Sequence, residues 1–295
     1  MPASDANGIR IHHEQFGDPA APTVLLVSGL GAQSLVYEDE VCEQLASHDL
    51  HVVRYDNRDV GLSTHFDGVV ADPFAALMAI SSGLPVDAPY TLSDMAADGM
   101  AVLDLLDVER AHIFGASMGG MIAQTMAIEH PERVLSLTSL MSTTGEPDVG
   151  QPDGEVLGAL LGMMTANDTH EARVASSVEL ARLIGTRSEF DEARAVERAE
   201  LLVTRAYDPA GVARQLVAIF ASGSRADGLA ALEVPTVVLH GDADLLVDIS
   251  GGRRTAELVP GAEFVLLEGM AHDMPPVYRE RLITAIVDNA ARATV

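Results

Sequence analysis

Short runs of β-branched and aliphatic residues recur along the chain, separated by segments of helical period. TVLLVS (Thr23–Ser28), HVVRYD (His51–Asp56), AHIFGAS (Ala111–Ser117), VLSLTSLMS (Val134–Ser142), TVVLHG (Thr236–Gly241) and EFVLLEG (Glu263–Gly269) are such runs. Continuous apolar stretches of this length suit strands buried on both faces, as in a parallel sheet. IRIHHEQFGD alternates, polar on one side, and reads as an antiparallel edge strand at the start. Between the runs, TLSDMAADGMAVLDLLD opens on Thr91 or Ser93 as a cap and sets Met95, Val102, Leu105 and Leu106 on one face. MIAQTMAIEHPERV behaves similarly and stops before Pro131. Strands alternating with helices predict the α/β class, with right-handed crossovers.

The alternation breaks over residues 143–227. There EVLGALLGMM, HEARVASSVELARLIG and EARAVERAELLVTRAYDPAGVARQLVAIF are all helix-like, which predicts a helical cap inserted into a core of residues 1–142 and 228–295. A second, irregular insert, Asp67 to Tyr90, contains FAALMAISSGLP, too apolar for an ordinary exposed loop. It either packs under the cap or forms a wall of the substrate pocket.

The composition removes several classes of function. The formal net charge is −26, from 44 acidic residues against 18 arginines, so nucleic acid and anionic membranes are poor partners and the acidic surface reads as solubilising. There is no lysine, hence no Walker-A lysine, pyridoxal Schiff base or lysine carbonyl chemistry. No apolar stretch is long enough to predict a membrane span, and the start lacks the basic and apolar regions of a signal peptide. Cys42 is the single cysteine, which fits a reducing cytoplasm. The sequon-like Asn167-Asp168-Thr169 carries little weight without secretion. No His-Glu-x-x-His spacing occurs, and Asp242-x-Asp244 lacks the glycine of a calcium loop. No metal and no cofactor are expected; the chemistry should rest on side chains.

AHIFGASMGGMIAQ is the most informative stretch. A predicted strand runs into Gly115-Ala116-Ser117-Met118-Gly119 and a helix follows at once, the strand–turn–helix context of a G-x-S-x-G nucleophile elbow. The turn would present Ser117 at a helix N-terminus, where free N–H groups favour a developing oxyanion. The glycine-rich Ser28-Gly29-Leu30-Gly31 after the first long run offers a second donor, so the oxyanion hole is expected from the N–H groups of Leu30 and Met118. His272, in the loop after the last predicted strand, is the expected base; His240 ends a strand nearby and is better placed for support.

On FGDPAAPTVLLVSGLGAQ, RYDNRDVGLS, GASMGGMIAQ, HGDADLLV and GMAHDMP, the chain resembles the α/β-hydrolase superfamily. Within it, the likeness is to serine carboxylesterases of the kind found in mycobacteria and to the aclacinomycin methylesterase. The resemblance implies a mostly parallel eight-stranded sheet flanked by helices, and a Ser…Asp…His order that maps onto Ser117, an aspartate after TVVLHG, and His272. The family's Gly-x-x-Asp spacing selects Asp244; Asp242 then serves the turn, and Asp248 or Ser250 caps the next helix, with Asp242 and Glu146 as the alternative acids. Two positions depart from the family: Ser28-Gly29 stands where His-Gly is common, and Asp59 stands in the loop that usually reads Asp-x-Arg-Gly-x-Gly-x-Ser. Arg58 in that loop is expected to bond carboxylates or backbone there and brace the oxyanion side.

The implied chemistry is acyl transfer through an acyl-enzyme on a small-molecule ester. A cofactor-free perhydrolase, a lactonase or a carbon–carbon bond hydrolase would use the same triad, and a ligand-binding protein with a vestigial triad stands as the non-enzymatic alternative. Leu157, Leu160, Leu161, Met163 and Met164 of the cap, with Leu77 and Met78, are either packing or lining; of these Leu77, Met78, Leu160 and Met164 are the expected pocket residues. An apolar ester fits them, and a substrate carboxylate would need an arginine such as Arg187 facing inward.

Overall fold

The computed structural model describes residues 3–164 and 169–293, so Asn167 and Asp168 lie outside the described residues. Among the described residues the strands are β1 (Ala3–Ala6), β2 (Ile9–Phe16), β3 (Thr23–Val27), β4 (His51–Tyr55), β5 (Ala111–Ala116), β6 (Val134–Leu140), β7 (Thr236–Gly241) and β8 (Glu263–Leu267). They form one sheet in the order β1-β2-β4-β3-β5-β6-β7-β8. The β1–β2 and β2–β4 pairs are antiparallel and the rest parallel.

The continuous apolar runs bury both faces because the side-chain period in a strand is two. On β3, Leu25 and Val27 join one cluster with Ile113, Leu92, Met95, Ile122 and Met126. Val24 and Leu26 join the other with Phe114, Leu239, Cys42, Leu45 and Ile283. Among the described residues the helices are α1 (Asp39–Ala46), α2 (Pro73–Ser81), α3 (Leu92–Leu105), α4 (Met118–Glu129), α5 (Gly154–Met163), α6 (His170–Ile184), α7 (Glu192–Arg205), α8 (Pro209–Ser222), α9 (Ala226–Ala230), α10 (Ser250–Leu258) and α11 (Arg279–Ala291), and α1, α3, α4 and α11 supply most of these two faces. α5 to α9 all lie between β6 and β7, and α6 and α7 share a small core of Val174, Val178 and Ala199 with Phe190. None of the described helices is long and apolar enough to cross a membrane.

Four sequence expectations change here. β2 is not the edge strand, because β1 pairs outside it through a hairpin whose turn residues Asn7 and Gly8 have φ of 50° and 77°. Two consecutive positive φ values are what an Asn-Gly hairpin turn requires. The irregular insert contains α2, started by Asp72, whose carboxylate accepts from the Phe74 and Ala75 N–H groups, with Pro73 in the first turn. α7 and α8 are separate helices, broken at Asp208-Pro209. Leu105, expected on the buried face of α3, is 39% exposed, and Thr91 is the cap of that helix, in a capping box with Asp94.

α8 is tied to the loop after β4 by buried charges. Arg214 Nε and Nη2 donate to Asp59 Oδ2 (2.9 Å) and Oδ1 (2.7 Å), and Nη2 also reaches Asp208 Oδ2 at 3.1 Å. The His65 ring places Nδ1 2.7 Å from Asp208 Oδ2 and Nε2 3.1 Å from the Gly61 carbonyl. Two acceptors facing two ring nitrogens suit the imidazolium. Burial disfavours that cation, but the Asp208 hydrogen bond and charge and the Gly61 carbonyl outweigh it, so the His65 pKa is raised. Burial likewise opposes ionised Asp208, and His65, the Gly211 N–H and Arg214 outweigh it, so its pKa is lowered.

A raised histidine stabilises the fold fully below its unfolded pKa, about 6.5, and ceases to as pH rises through the folded value. A lowered aspartate contributes above about 3.9 and loses that as pH falls through its folded value. The pair therefore stabilises most between about pH 4 and 6.5. Urea unfolding should show His65→Gln less stable than the parent near pH 5.5, with the gap narrowing near pH 8.5. A gap independent of pH would refute the charged pair.

Candidate active site

The site lies where the parallel strands end at their carboxyl termini. β3 and β5 are neighbours, with Val27 opposite Gly115, so the loop after β3 and the turn after β5 emerge side by side. This is the point where the strand order changes direction, the usual crevice for a ligand in an open α/β sheet. β7 and β8 are also neighbours, with Gly241 opposite Leu267, which brings the loops carrying Asp244 and His272 together.

Ser117 sits between β5 and α4 with φ 59° and ψ −125°, a strained conformation for a non-glycine residue. Its neighbours must be small. A Cβ on Gly115 would lie 2.1 Å from the Gly119 carbonyl oxygen, and one on Gly119 would lie 2.0 Å from that of Val27. The turn is held by Ser117 N donating to the Leu140 carbonyl (2.9 Å) and by Ser142 Oγ donating to the Ser117 carbonyl (2.9 Å).

His272 Nε2 stands 2.9 Å from Ser117 Oγ, and His272 Nδ1 stands 2.8 Å from Asp244 Oδ2. Ser117 is half-buried, while Asp244 and His272 are buried. Asp244 Oδ1 accepts the Leu246 and Val247 N–H groups, each at 2.9 Å. His240 Nε2 donates to the Val247 carbonyl at 2.8 Å and lies 3.4 Å from Asp244 Oδ2. Burial alone would raise the Asp244 carboxyl. The His272 charge, the hydrogen bonds from His240 and His272 and the Val247 N–H outweigh it and hold the carboxyl well below its ordinary range. The side chain is a carboxylate at neutral pH.

The other two aspartates of the cluster face elsewhere. Asp242 Oδ1 accepts the Gly269 N–H at 2.7 Å, bridging the loops after β7 and β8. Asp248 Oδ1 accepts the Ser250 N–H at 2.9 Å at the start of α10, whereas Ser250 Oγ accepts the Gly150 N–H. Glu146 pairs with Arg254 and Thr144 and makes no contact with His272.

The loop expected to supply the oxyanion donor packs directly against the serine: a Cβ on Gly29 would meet Ser117 Cβ at 3.1 Å. Met118 is the first residue of α4, so its N–H is among those with no partner inside the helix. Arg58 does not brace this loop. Its guanidinium donates to Asp98 Oδ2 (2.6 Å) and Oδ1 (2.7 Å) on α3 and stacks on Tyr90. The bracing comes from its neighbours and from the helical segment: Asn57 Nδ2 donates to the Ser28 carbonyl (2.9 Å), and Asp56 Oδ1 accepts the Ser34 N–H (2.7 Å). Gln215 of α8 accepts the Gly31 N–H at 2.8 Å and donates to the Arg58 carbonyl at 2.7 Å. Arg205 of α7 pairs with Asp56 at 2.7 Å. No local pattern marks Ser142, Asn57 or Gln215; each is recruited by a contact between distant segments.

Of the expected pocket residues, Leu77, Leu160 and Met164 are half-buried, and the Met163 side chain lies outside the described residues. Met78 turns to solvent, 67% exposed, because α2 buries Pro73 and Ala76 on its other side. Arg187 is exposed and does not face inward. A crevice of about 590 Å³ lined by Arg110, Ile128, Leu135, Leu232 and Val234 includes none of the expected site residues. Asp59, His65 and Asp208 are close enough to share a cation, but Arg214 already compensates both carboxylates.

A model of the family described as the alpha/beta hydrolase fold matches residues 22–275. The chain belongs to that family. This α/β hydrolase is 29% identical to the rhodomycin D methylesterase DauP of Streptomyces sp. (strain C5), over 97% of each chain. It is 28% identical to the rhodomycin D methylesterase DnrP of Streptomyces peucetius, again over 97% of each. The enol-lactonase from Burkholderia xenovorans LB400 superposes with a TM-score of 0.78, covering 99% of this hydrolase and 100% of that chain at 21% identity. At that identity the likeness speaks to fold alone.

Proposed function

We propose that this α/β hydrolase is a serine carboxylesterase that cleaves small to medium apolar esters through an acyl-enzyme. The observation that carries the reading is the continuous line of hydrogen bonds from Asp244 through His272 to Ser117 Oγ. Asp244 holds the Nδ1–H tautomer of His272, leaving Nε2 to take the Ser117 proton as Oγ attacks the ester carbonyl. The tetrahedral oxyanion is received by the Leu30 and Met118 N–H groups. Protonated His272 then gives its proton to the leaving alcohol, and water, deprotonated by the same ring, releases the acid.

Helices of residues 143–227 act as the cap over this site, with Leu160 and Met164 lining it beside Leu77. The strongly acidic chain and exposed Arg187 disfavour a substrate carboxylate near the ester. The names of the two relatives, rhodomycin D methylesterases, point to a methyl ester within that class. The cytoplasmic placement read from the single cysteine belongs to this proposal and is checked by fractionating cells.

The test is a panel of p-nitrophenyl esters, methyl esters including polyketide methyl esters, and lactones. Hydrolysis should be fastest on apolar esters, with trapping of an acyl group on Ser117 visible by mass spectrometry. Turnover of lactones well above every open-chain ester would replace this reading with a lactonase on the same triad. Absence of any turnover across the panel would leave the fold without the activity.

A further inference from the structure

The turn that carries His272 is fastened to the helical segment between β6 and β7. Three consecutive residues, Ala271 to Asp273, bond to Ile184 and Thr186. His272 N donates to the Ile184 carbonyl at 2.9 Å, and Ala271 N donates to Thr186 Oγ1 at 2.9 Å. Thr186 Oγ1 in turn donates to Asp273 Oδ1 at 2.5 Å, and Thr186 N donates to the same oxygen at 3.1 Å.

The threonine hydroxyl has one proton, and Asp273 takes it, so the oxygen facing Ala271 N is left as an acceptor. Its orientation is thereby fixed. Thr186 is 1% exposed, so water does not compete for these bonds. Gly185 keeps the approach open: a Cβ there would lie 2.5 Å from the Ala181 carbonyl oxygen and 3.2 Å from Asp273 Oδ2. These hydrogen bonds go to the backbone of His272 and of the residue before it, and to the side chain of the residue after it, rather than to the triad side chains.

We propose that Thr186 and Asp273 are positioning residues for the base: they set the backbone of the His272 turn so that Nε2 stands in line with Ser117 Oγ. The proposal rests on the esterase reading above. Asp244 orients the ring about its side-chain torsions, whereas the Thr186–Asp273 clasp sets where the ring starts from. A displacement of about 1 Å at such a group costs on the order of 100-fold in rate while leaving the substrate-binding surface in place. The fastening also runs through the end of α6, so the base is seated on the helical segment rather than on the sheet alone.

Thr186→Val keeps the shape and removes the hydroxyl. It should lower kcat per titrated Ser117 by about 10- to 100-fold, with KM changed far less. Thr186→Ser, which restores the oxygen, should recover most of that loss. The far-downfield proton resonance of the His272–Asp244 hydrogen bond should shift or broaden in Thr186→Val and return in Thr186→Ser. If Thr186→Val does not fold, the more exposed Asp273→Ala, which frees the hydroxyl from its anchor, should show the same loss in kcat and the same change in the resonance. A purely structural role would reduce the number of titratable sites and leave kcat per site and the resonance unaltered, and that result overturns the proposal. Ser117→Ala separates the two readings: if it remains active the esterase assignment fails, and if it is inactive while Thr186→Val and Asp273→Ala match the parent, only the positioning role fails.

Discussion

Ser117→Ala is expected to lower kcat on the preferred ester by about 10⁴- to 10⁶-fold, with the fold intact. Alanine keeps the Cβ and meets the same strain at φ 59°, so the elbow backbone has no reason to move. What disappears is Oγ, which stands 2.9 Å from His272 Nε2. The residual rate would come from the proposed oxyanion donors and from binding, which survive the substitution. Steady-state rates, with the urea midpoint as the control for folding, check this. Full activity in the variant would remove the whole site assignment.

Asp244→Asn is expected to cost about 10⁴-fold in kcat, and local geometry gives the reason. Two backbone N–H groups, from Leu246 and Val247, point at one oxygen of Asp244. An asparagine in this place satisfies them with its amide oxygen, which turns its NH2 group toward His272 Nδ1. The ring must then accept at Nδ1 and carry its proton on Nε2, facing Ser117 with no lone pair to act as base. His240 does not rescue this, because its Nε2–H is engaged with the Val247 carbonyl. The same substitution at Asp242 or Asp248, whose oxygens serve Gly269 and Ser250, should change kcat by no more than about twofold. Rates of the three variants on one ester decide the matter; near-normal Asp244→Asn would move the acid elsewhere.

Much of the candidate site's geometry was legible because its signals are local. The elbow requires small residues before and after the serine, for Gly115 and Gly119 face carbonyl oxygens with no room for a Cβ. His272 was legible from its place past the end of β8, and Asp244, just past the end of β7, from the family's Gly-x-x-Asp spacing. Two further local signals lie in the sequence: Asn7-Gly8, which makes the β1–β2 hairpin, and Asp72-Pro73, which starts α2. Each would have corrected an expectation about an edge strand or an irregular insert. Arg58 differs in kind. Its type and position suggested a brace for the oxyanion loop, but its partner is Asp98, 40 residues away on α3. No feature of RYDNRDVGLS announces that partner.

The sequence by itself determined the alternation of strands and helices, the two-sided burial of the sheet, and the three residue types at strand ends that make up the line from Asp244 to Ser117. The strands and the Ser117 elbow follow from side-chain period and from steric limits acting within a few residues, whereas the choice of Asp244 among the nearby acids is what the resemblance to the α/β hydrolases implies. Only the tertiary structure decided which groups hold that line in place: Ser142 on the Ser117 carbonyl, Gln215 and Asn57 on the loop of residues 28–31, and Thr186 with Asp273 on the His272 turn. One of these hydrogen bonds joins residues 184 apart, Gly31 and Gln215. Their partners are set by packing of the whole chain, because a polar atom buried by that packing must find whatever donor or acceptor the fold brings beside it.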